Sequence, residues 1–150
     1  MEVWRICRKS QQTLDGEGAG LHGGRWNSAG VPVVYASSTL ALAALEYLVH
    51  VDIEDVPPDL VAMRIALPKQ VVTTVITRDD LPGDWQRIPD HPVCVSLGDN
   101  WVRTGTTLAL QVPSAVVPEE ANLLINPAHP QSHNLVVRSV RPFAFDPRLL

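Results

Sequence analysis

The alternation of apolar and polar residues along the chain predicts short strands and one clear helix. The first segment, EVWRICR, alternates like a half-buried strand, and VPVVYAS, which ends at Ser37, is a β-branched run typical of a buried strand. The next segment, SSTLALAALEYLVHV, opens with three N-cap candidates (Ser37, Ser38 and Thr39) and continues with strong helix formers. This pattern predicts a helix over about 38–50.

The rest of the chain predicts further strands separated by prolines. LVAMRIALP and VVTTVIT are expected to be two strands divided by Pro68, and NLVVRSVRPFAF a terminal strand. Leu81–Asn100 is rich in turn residues, with room for a short helix around GDNWVRT. TTLALQVPSAVVP predicts a strand that Pro113 assigns to an edge or a bulge, while ANLLINPAHP fits either helix or irregular structure. The sum is an α+β fold in a single domain, 1–150.

Composition and charge exclude several classes of partner. Apolar residues make up 45% and charged residues 19% of the chain, an ordinary balance for a globular domain. The net charge of −4 argues against a nucleic-acid or acidic membrane surface. Cys7 and Cys94 are far apart and in no metal-ligand spacing, and the longest apolar run is interrupted by Glu46. These features predict a cytoplasmic protein without a membrane or nucleic-acid partner.

Glycines are concentrated just before the second predicted strand. Five of the nine fall between Gly16 and Gly24, and Gly18–Gly23 satisfies G-x-G-x-x-G. A dinucleotide fingerprint follows an apolar strand and opens a helix, whereas polar KSQQTLD precedes this segment and GRWNSAGVP follows it. The match therefore does not indicate a Rossmann unit. The glycines fit either a flexible surface loop or a loop pressed against a ligand, which would present Arg25 to phosphate oxygens.

Glu46 is the one charged side chain of the predicted helix. Thr39, Ala43, Glu46 and His50 are spaced 4, 3 and 4 residues apart and so share one helical face. This narrow polar stripe has two interpretations. It faces solvent, or it lines a cleft in which burial and neighbouring groups tune the ionisation of the carboxylate.

Tyr35 precedes the helix directly, so that Arg25, Tyr35 and Glu46 could converge where strand and helix meet. Taken alone, a tyrosine at a strand end is commonly a packing residue, and Ser114 after a proline is commonly a turn residue. Ser114 also lacks the Gly-x-Ser-x-Gly context of a serine hydrolase. The five histidines lack metal-binding spacing, so no metal site is expected.

Three blocks of the chain resemble the RES-domain family, the toxins of bacterial RES–Xre toxin–antitoxin pairs. They are GLHGGRWNSAGVPVVYASSTLALAALEYLVH, LGDNWVRTGTTLALQVPSAVVPEEANLLINPAHP and FAFDPRLL. The family is named for an arginine, a glutamate and a serine, which match Arg25, Glu46 and Ser114. The resemblance extends over nearly the whole chain. It implies an ADP-ribosyltransferase-like fold, with small mixed or antiparallel sheets around an NAD cleft.

The resemblance also implies an activity on NAD, namely cleavage of the bond between nicotinamide and ribose. Family members are associated with NAD depletion by hydrolysis or by phosphorolysis. Inorganic phosphate is the co-substrate in the second case, and no metal or further cofactor is implied. An alternative is mono-ADP-ribosylation of a protein of the host cell, and a second alternative is a non-catalytic interaction module on the same fold. The implied partner is a separate Xre-like antitoxin that occludes the cleft in a hetero-oligomer.

The family pattern assigns the catalytic site to Arg25, Tyr35, Glu46 and Ser114, and NAD binding to Arg25, Tyr35 and an early arginine, Arg5. Glu46 is expected to stabilise positive charge that develops on the ribose. The two arginines are expected to hold the pyrophosphate. Tyr35 is expected to pack against nicotinamide or ribose, and Ser114 to position one of them.

Overall fold

Seven strands form one mixed sheet in the computed structural model, which describes residues 1–150. The strands are β1 (Glu2–Arg8), β2 (Val34–Ser37), β3 (Leu60–Ala66), β4 (Thr73–Val75), β5 (Ala109–Pro113), β6 (Ala121–Ile125) and β7 (Val136–Pro142). The helices are α1 (Glu17–His22), α2 (Leu40–Leu48) and α3 (Pro92–Thr104). The strand order is β4-β5-β6-β2-β1-β3-β7, and only β4 and β5 run parallel. This architecture confirms the predicted α+β class.

The sheet is weakest in its middle, between β1 and β2. These two strands share a single pair, Trp4 with Ser37, whereas β1 and β3 pair along their full lengths. The sheet therefore consists of two parts, β7-β3-β1 and β2-β6-β5-β4. They meet beside Ser37, three residues before the start of α2.

Apolar side chains are buried on both faces of the sheet. One face carries a cluster of 12 buried residues that includes Val3, Met63 and Ile125. The other face, beside β2, β5 and β6, carries eight buried residues, among them Trp26, Trp85, Trp101, Leu110 and Leu124. A third, smaller cluster lies between α2, β1 and β3, where Ala43 and Ile6 are buried. Helix α2 is thus packed against the junction of the two parts of the sheet.

Helix α2 confirms the sequence prediction, with slightly shorter bounds. Thr39 is its N-cap, with extended backbone and a side chain that accepts a hydrogen bond from the Leu42 N–H at 3.1 Å. A threonine oxygen in this position satisfies one of the unpaired N–H groups of the first turn. Leu42 and Ala43 are the buried residues of the helix.

Helix α3 is the longest helix, with 13 residues, and extends well beyond the short helix expected around GDNWVRT. The reason is Pro92, which occupies the first turn, where a proline costs no hydrogen bond because the N–H there has no intrahelical partner. Gly105 ends the helix in the left-handed region, with φ of 60°.

Three other expectations need correction. ANLLI, which fitted helix or irregular structure, is strand β6, since it pairs with both β2 and β5. The glycine-rich segment contains a six-residue helix, α1, rather than only loop. Strand β5 is neither an edge nor bulged: it lies between β4 and β6, and Pro113 is tolerated because its pairing with β4 ends at Gln111. None of the helices is long and apolar enough to cross a membrane.

Candidate functional site

The carboxylate of Glu46 is held by two hydrogen bonds to the same oxygen. Its Oε1 accepts from Ser114 Oγ at 2.6 Å and from Asn122 Nδ2 at 2.6 Å. The Glu46 side chain is half-buried. Its Oε2 accepts no hydrogen bond within the chain and is accessible to solvent. One oxygen is therefore fixed by the protein while the other is available to a ligand.

Ser114 is completely buried at the end of β5. Its Oγ accepts hydrogen bonds from the N–H groups of Val116, at 3.1 Å, and Val117, at 3.0 Å. A hydroxyl has two lone pairs and one proton, so with both lone pairs used the proton points to Glu46. Ser114 is therefore both the turn residue that its sequence context suggested and a direct partner of Glu46.

Asn122 was not singled out by the sequence, although it makes the second contact to Glu46. The β2–β6 register places Asn122 opposite Ser37, so both side chains lie on one face of the sheet. Ser37 Oγ donates to Asn122 Oδ1 at 2.7 Å, while the Nδ2 group of the same amide faces Glu46. The available signal was a single amide in the otherwise apolar segment ANLLI.

Tyr35 holds the glycine-rich segment rather than presenting a free hydroxyl. Its phenol donates to Asn27 Oδ1 at 2.7 Å and accepts from the Trp26 N–H at 3.1 Å. Burial raises the pKa of Tyr35 well above its ordinary value, against the opposing effect of the Trp26 hydrogen bond. Asn27, which is 1% exposed, also donates to the carbonyls of Ala19 and Val31. This network fixes the backbone on either side of Trp26.

Helix α3 holds the same segment from its other side. Gly98 lies so close to it that a Cβ would come within 1.6 Å of the Trp26 carbonyl oxygen. Next to it, the buried Asp99 accepts hydrogen bonds from both the N–H and the hydroxyl of Ser28. Gly98 and Asp99 were also missed in the sequence, where they appear only as an unremarkable pair in LGDNWVRT.

Arg25 extends from this segment toward the chain that precedes α3. Its Nη1 donates to the carbonyls of Trp85, at 2.9 Å, and Arg87, at 3.3 Å, and its Nη2 lies 3.4 Å from Asp90 Oδ1. The Arg25 side chain is 17% exposed. Its Nε–H has no partner within the chain and is not sealed from solvent, so part of the guanidinium can still donate to a ligand.

The structure brings most of the predicted site residues to one face of the sheet. Glu46 and Ser114 are in direct contact, and Tyr35 lies two residues from Ser37 on β2, which puts its side chain on the same face as the Glu46 partners. Tyr35 also bonds to the N–H of Trp26, the neighbour of Arg25 in sequence. Arg25 is thus next to Tyr35 through Trp26, and Tyr35 shares a face of the sheet with the Glu46 group.

Arg5 is not joined to that group by a hydrogen bond or an ion pair. Its Nη1 donates to the carbonyls of Gln11, at 3.0 Å, and Thr13, at 3.3 Å. In β1 it pairs with Met63, and alternation along the strand puts its side chain on the opposite face from Trp4, which pairs with Ser37. A role for Arg5 in NAD binding stays a prediction.

The comparisons with known proteins agree with the family resemblance seen in the sequence. The family model described as RES domain matches residues 2–146. The chain is 41% identical over 153 residues to the Prs ADP-ribosylating toxin of Sphingobium sp. (strain YBL2), covering 98% of this chain and 95% of that protein. It is 36% identical to a Toxin Res of Yersinia enterocolitica serotype O:8, covering 99% of each. A Toxin Res of Photorhabdus laumondii is 33% identical, with coverage of 100% and 97%.

Among solved structures, the fold resembles a chain in the crystal structure of the M. tuberculosis MbcT–MbcA toxin–antitoxin complex. The TM-score is 0.78 at 18% sequence identity, over 95% of this chain and 84% of that one. At this identity the likeness establishes the shared fold.

Proposed function

The chain belongs to the RES-domain family, and on that premise we propose that it is the toxin of a toxin–antitoxin pair that consumes NAD in the cytoplasm. The reaction breaks the bond between nicotinamide and ribose. The observation that carries this proposal is the carboxylate of Glu46, one oxygen of which is held by Ser114 and Asn122 while the other is free.

This arrangement suits the electronics of the bond that breaks. The electron pair of the C1′–N bond leaves with nicotinamide, which departs as a neutral amine, and positive charge develops on the ribose ring. A carboxylate fixed in advance stabilises that charge without having to reorganise, as in glycosidases. The free Oε2 of Glu46 faces the ribose in this mechanism. An acceptor oxygen then bonds to C1′ and releases its proton.

Arg25 supports the binding of the pyrophosphate. Its Nη1 is used by two backbone carbonyls, but its Nε–H and part of Nη2 remain for phosphate oxygens, to which a guanidinium is well matched. Tyr35 contributes to NAD binding through its aromatic ring, because its hydroxyl is already hydrogen-bonded to Asn27 and to the Trp26 N–H. Ser114, buried and hydrogen-bonded to Glu46, is proposed as a positioning residue that acts through that carboxylate, and its expected role in positioning nicotinamide or ribose stays a prediction.

The acceptor of the ADP-ribosyl group divides two candidate functions. Water or inorganic phosphate as acceptor depletes NAD, whereas a protein side chain as acceptor gives mono-ADP-ribosylation. The name of the Sphingobium relative, an ADP-ribosylating toxin, favours the second candidate, and it belongs to a protein 41% identical to this chain. Both candidates share the site and the step that breaks the nicotinamide bond.

The experiment that tests the proposal incubates the purified protein with NAD labelled in its ADP-ribose portion, with and without phosphate and with a cell extract. Release of nicotinamide is expected in at least one of these reactions, and the condition that it requires indicates the acceptor. Label in free ADP-ribose or its phosphate indicates depletion, and label on a protein indicates transfer. A well-folded protein that releases no nicotinamide under any of these conditions contradicts the proposal and favours a non-catalytic module.

We also propose that an Xre-like antitoxin covers the cleft between Arg25 and Glu46. A toxin that consumes NAD has to be held inactive in its own cell, and the M. tuberculosis neighbour was crystallised in a toxin–antitoxin complex. NAD turnover measured in the co-purified complex should be far below that of the free toxin. Full activity in the complex contradicts occlusion of the site.

A further inference from the structure

We propose that Asn122 is a positioning residue for the carboxylate of Glu46, and that Ser37 holds the Asn122 side chain in place. The family pattern assigns neither residue to the site. The inference rests on the proposed function, because it explains how Glu46 keeps one oxygen ready for the ribose. It is carried by two short hydrogen bonds in series, from Ser37 to Asn122 and from Asn122 to Glu46.

The first step concerns the orientation of the Asn122 amide. An amide side chain can be turned by half a rotation, which exchanges its donor and its acceptor. In the reversed orientation Asn122 would place its carbonyl oxygen against Glu46 Oε1, and two acceptors would face each other at 2.6 Å. The acceptor-only carboxylate of Glu46 therefore selects the orientation in which Nδ2 faces it, and Ser37, which is 3% exposed, satisfies Oδ1 by donating to it.

The second step concerns the rotation of the carboxylate. The terminal torsion of a glutamate is broad, so a carboxylate without fixed partners presents either oxygen over a wide range of angles. Ser114, directly after β5, and Asn122, on β6, both donate to Oε1 of Glu46. Charge-assisted hydrogen bonds of this kind are short and strong. Two donors, one directly after β5 and one on the neighbouring β6, therefore hold one oxygen and leave Oε2 in a defined position.

The third step links the pair to the architecture of the sheet. Ser37 is also the only β2 residue that pairs with β1, opposite Trp4. The Ser37–Asn122 contact therefore lies where the two parts of the sheet meet, directly before α2 carries Glu46 back over that junction. The position of the carboxylate depends on this junction as well as on its own helix.

The decisive variant is Asn122→Asp, which keeps the shape of the side chain but replaces the donor with a second carboxylate oxygen. We expect its kcat for NAD to fall about 100-fold, the order of loss that a misplaced catalytic group causes, with KM nearly unchanged. Asn122→Ala, which removes the donor without adding repulsion, should lose about 10-fold in kcat. Ser37→Ala should lose less, because the amide can still adopt the correct orientation.

A matched control is Asn134→Asp, the same change at an exposed residue of a short 3-10 turn. It should retain wild-type kcat and KM. Thermal unfolding of every variant shows whether a lower rate reflects a lower folded fraction. If Asn122→Asp does not fold, the kcat values of the other two variants test the inference. Asn122→Ala should have the lowest kcat, Ser37→Ala a higher one and the wild-type protein the highest.

The outcomes separate this inference from the proposed function. A wild-type protein that consumes NAD, together with unchanged kcat in Asn122→Asp and Asn122→Ala, overturns the positioning role alone. A fall in kcat that merely follows thermal stability, with KM raised equally, also overturns it, because it indicates a structural residue. A wild-type protein that never consumes NAD overturns the proposed function and this inference together.

Discussion

Gly98 provides a sharp test of how the Arg25 segment is held. A Cβ at this position would lie 1.6 Å from the Trp26 carbonyl oxygen, whereas ordinary contacts are 3.4–4 Å. Gly98→Ala therefore requires α3 and the Trp26 backbone to separate by about 2 Å, since a fixed carbonyl has no rotamer with which to move away. Arg25, the residue immediately before Trp26, would move with that backbone.

Two effects of opposite sign compete in this substitution. Alanine in a helix interior stabilises the protein by about 1 kcal/mol relative to glycine. Overpacking a close contact costs about 1–3 kcal/mol, and a backbone atom as the obstacle places the cost at the upper end of that range. The separation would also stretch the hydrogen bonds between Asp99 and Ser28. We expect a net loss of about 1–2 kcal/mol in the free energy of unfolding.

The kinetics of NAD turnover should reveal the same displacement of Arg25. KM for NAD should rise in Gly98→Ala because Arg25 is shifted, while kcat should change less because the Glu46 contacts lie on other elements. The control is Gly18→Ala in α1, where an added Cβ meets nothing within 4 Å. It should be neutral or slightly stabilising by urea denaturation. A Gly98→Ala protein as stable as Gly18→Ala, with unchanged KM, refutes this packing argument.

Two further predictions concern Asp90 and Tyr35. Asp90→Asn should lower KM for NAD about 1.5- to 5-fold, because a partly exposed ion pair worth about 0.2–1 kcal/mol no longer competes with the pyrophosphate for Arg25; Asp84→Asn, whose partners are Arg87 and His91, is the control and should leave KM unchanged. The free energy of unfolding should fall as the pH rises above about 10, because Tyr35 ionises near its ordinary pKa of 10.0 when unfolded but keeps its proton when folded. Denaturation at pH 8 to 11 should show a shallower fall in Tyr35→Phe, and equal slopes in the two proteins contradict the prediction.

Local sequence signals predicted the fold where a single segment determines its own structure. The β-branched runs, Thr39 as an N-cap and the helix formers after it are sufficient for β2 and α2. The prolines led to wrong predictions because their effect depends on position. Pro92 lies in the first turn of a helix, and Pro113 ends strand β5 after its pairing with β4 has ended. The start of a helix decides the structure at Pro92, and the pairing of strands decides it at Pro113. Composition reveals neither.

The site was predictable only in part, for a similar reason. The family resemblance supplied Arg25, Glu46 and Ser114, and the Glu46–Ser114 contact agrees with two of them. Asn122 contacts Glu46 across 76 residues and Ser37 across 85, so it becomes visible only once β6 is paired with β2. An asparagine in an apolar strand does not by itself indicate what it binds.

The most direct test of the mechanism is NAD turnover by Glu46→Gln beside the wild-type protein. The glutamine oxygen can still accept from Ser114 and Asn122, so the fold should survive and an NH₂ group should replace the free oxygen that faces the ribose. We expect kcat to fall about 10²–10³-fold, with NAD binding and thermal stability nearly unchanged, since the lost interaction exists only in the transition state. Wild-type turnover by a folded Glu46→Gln protein would contradict the assignment of Glu46 as the catalytic carboxylate.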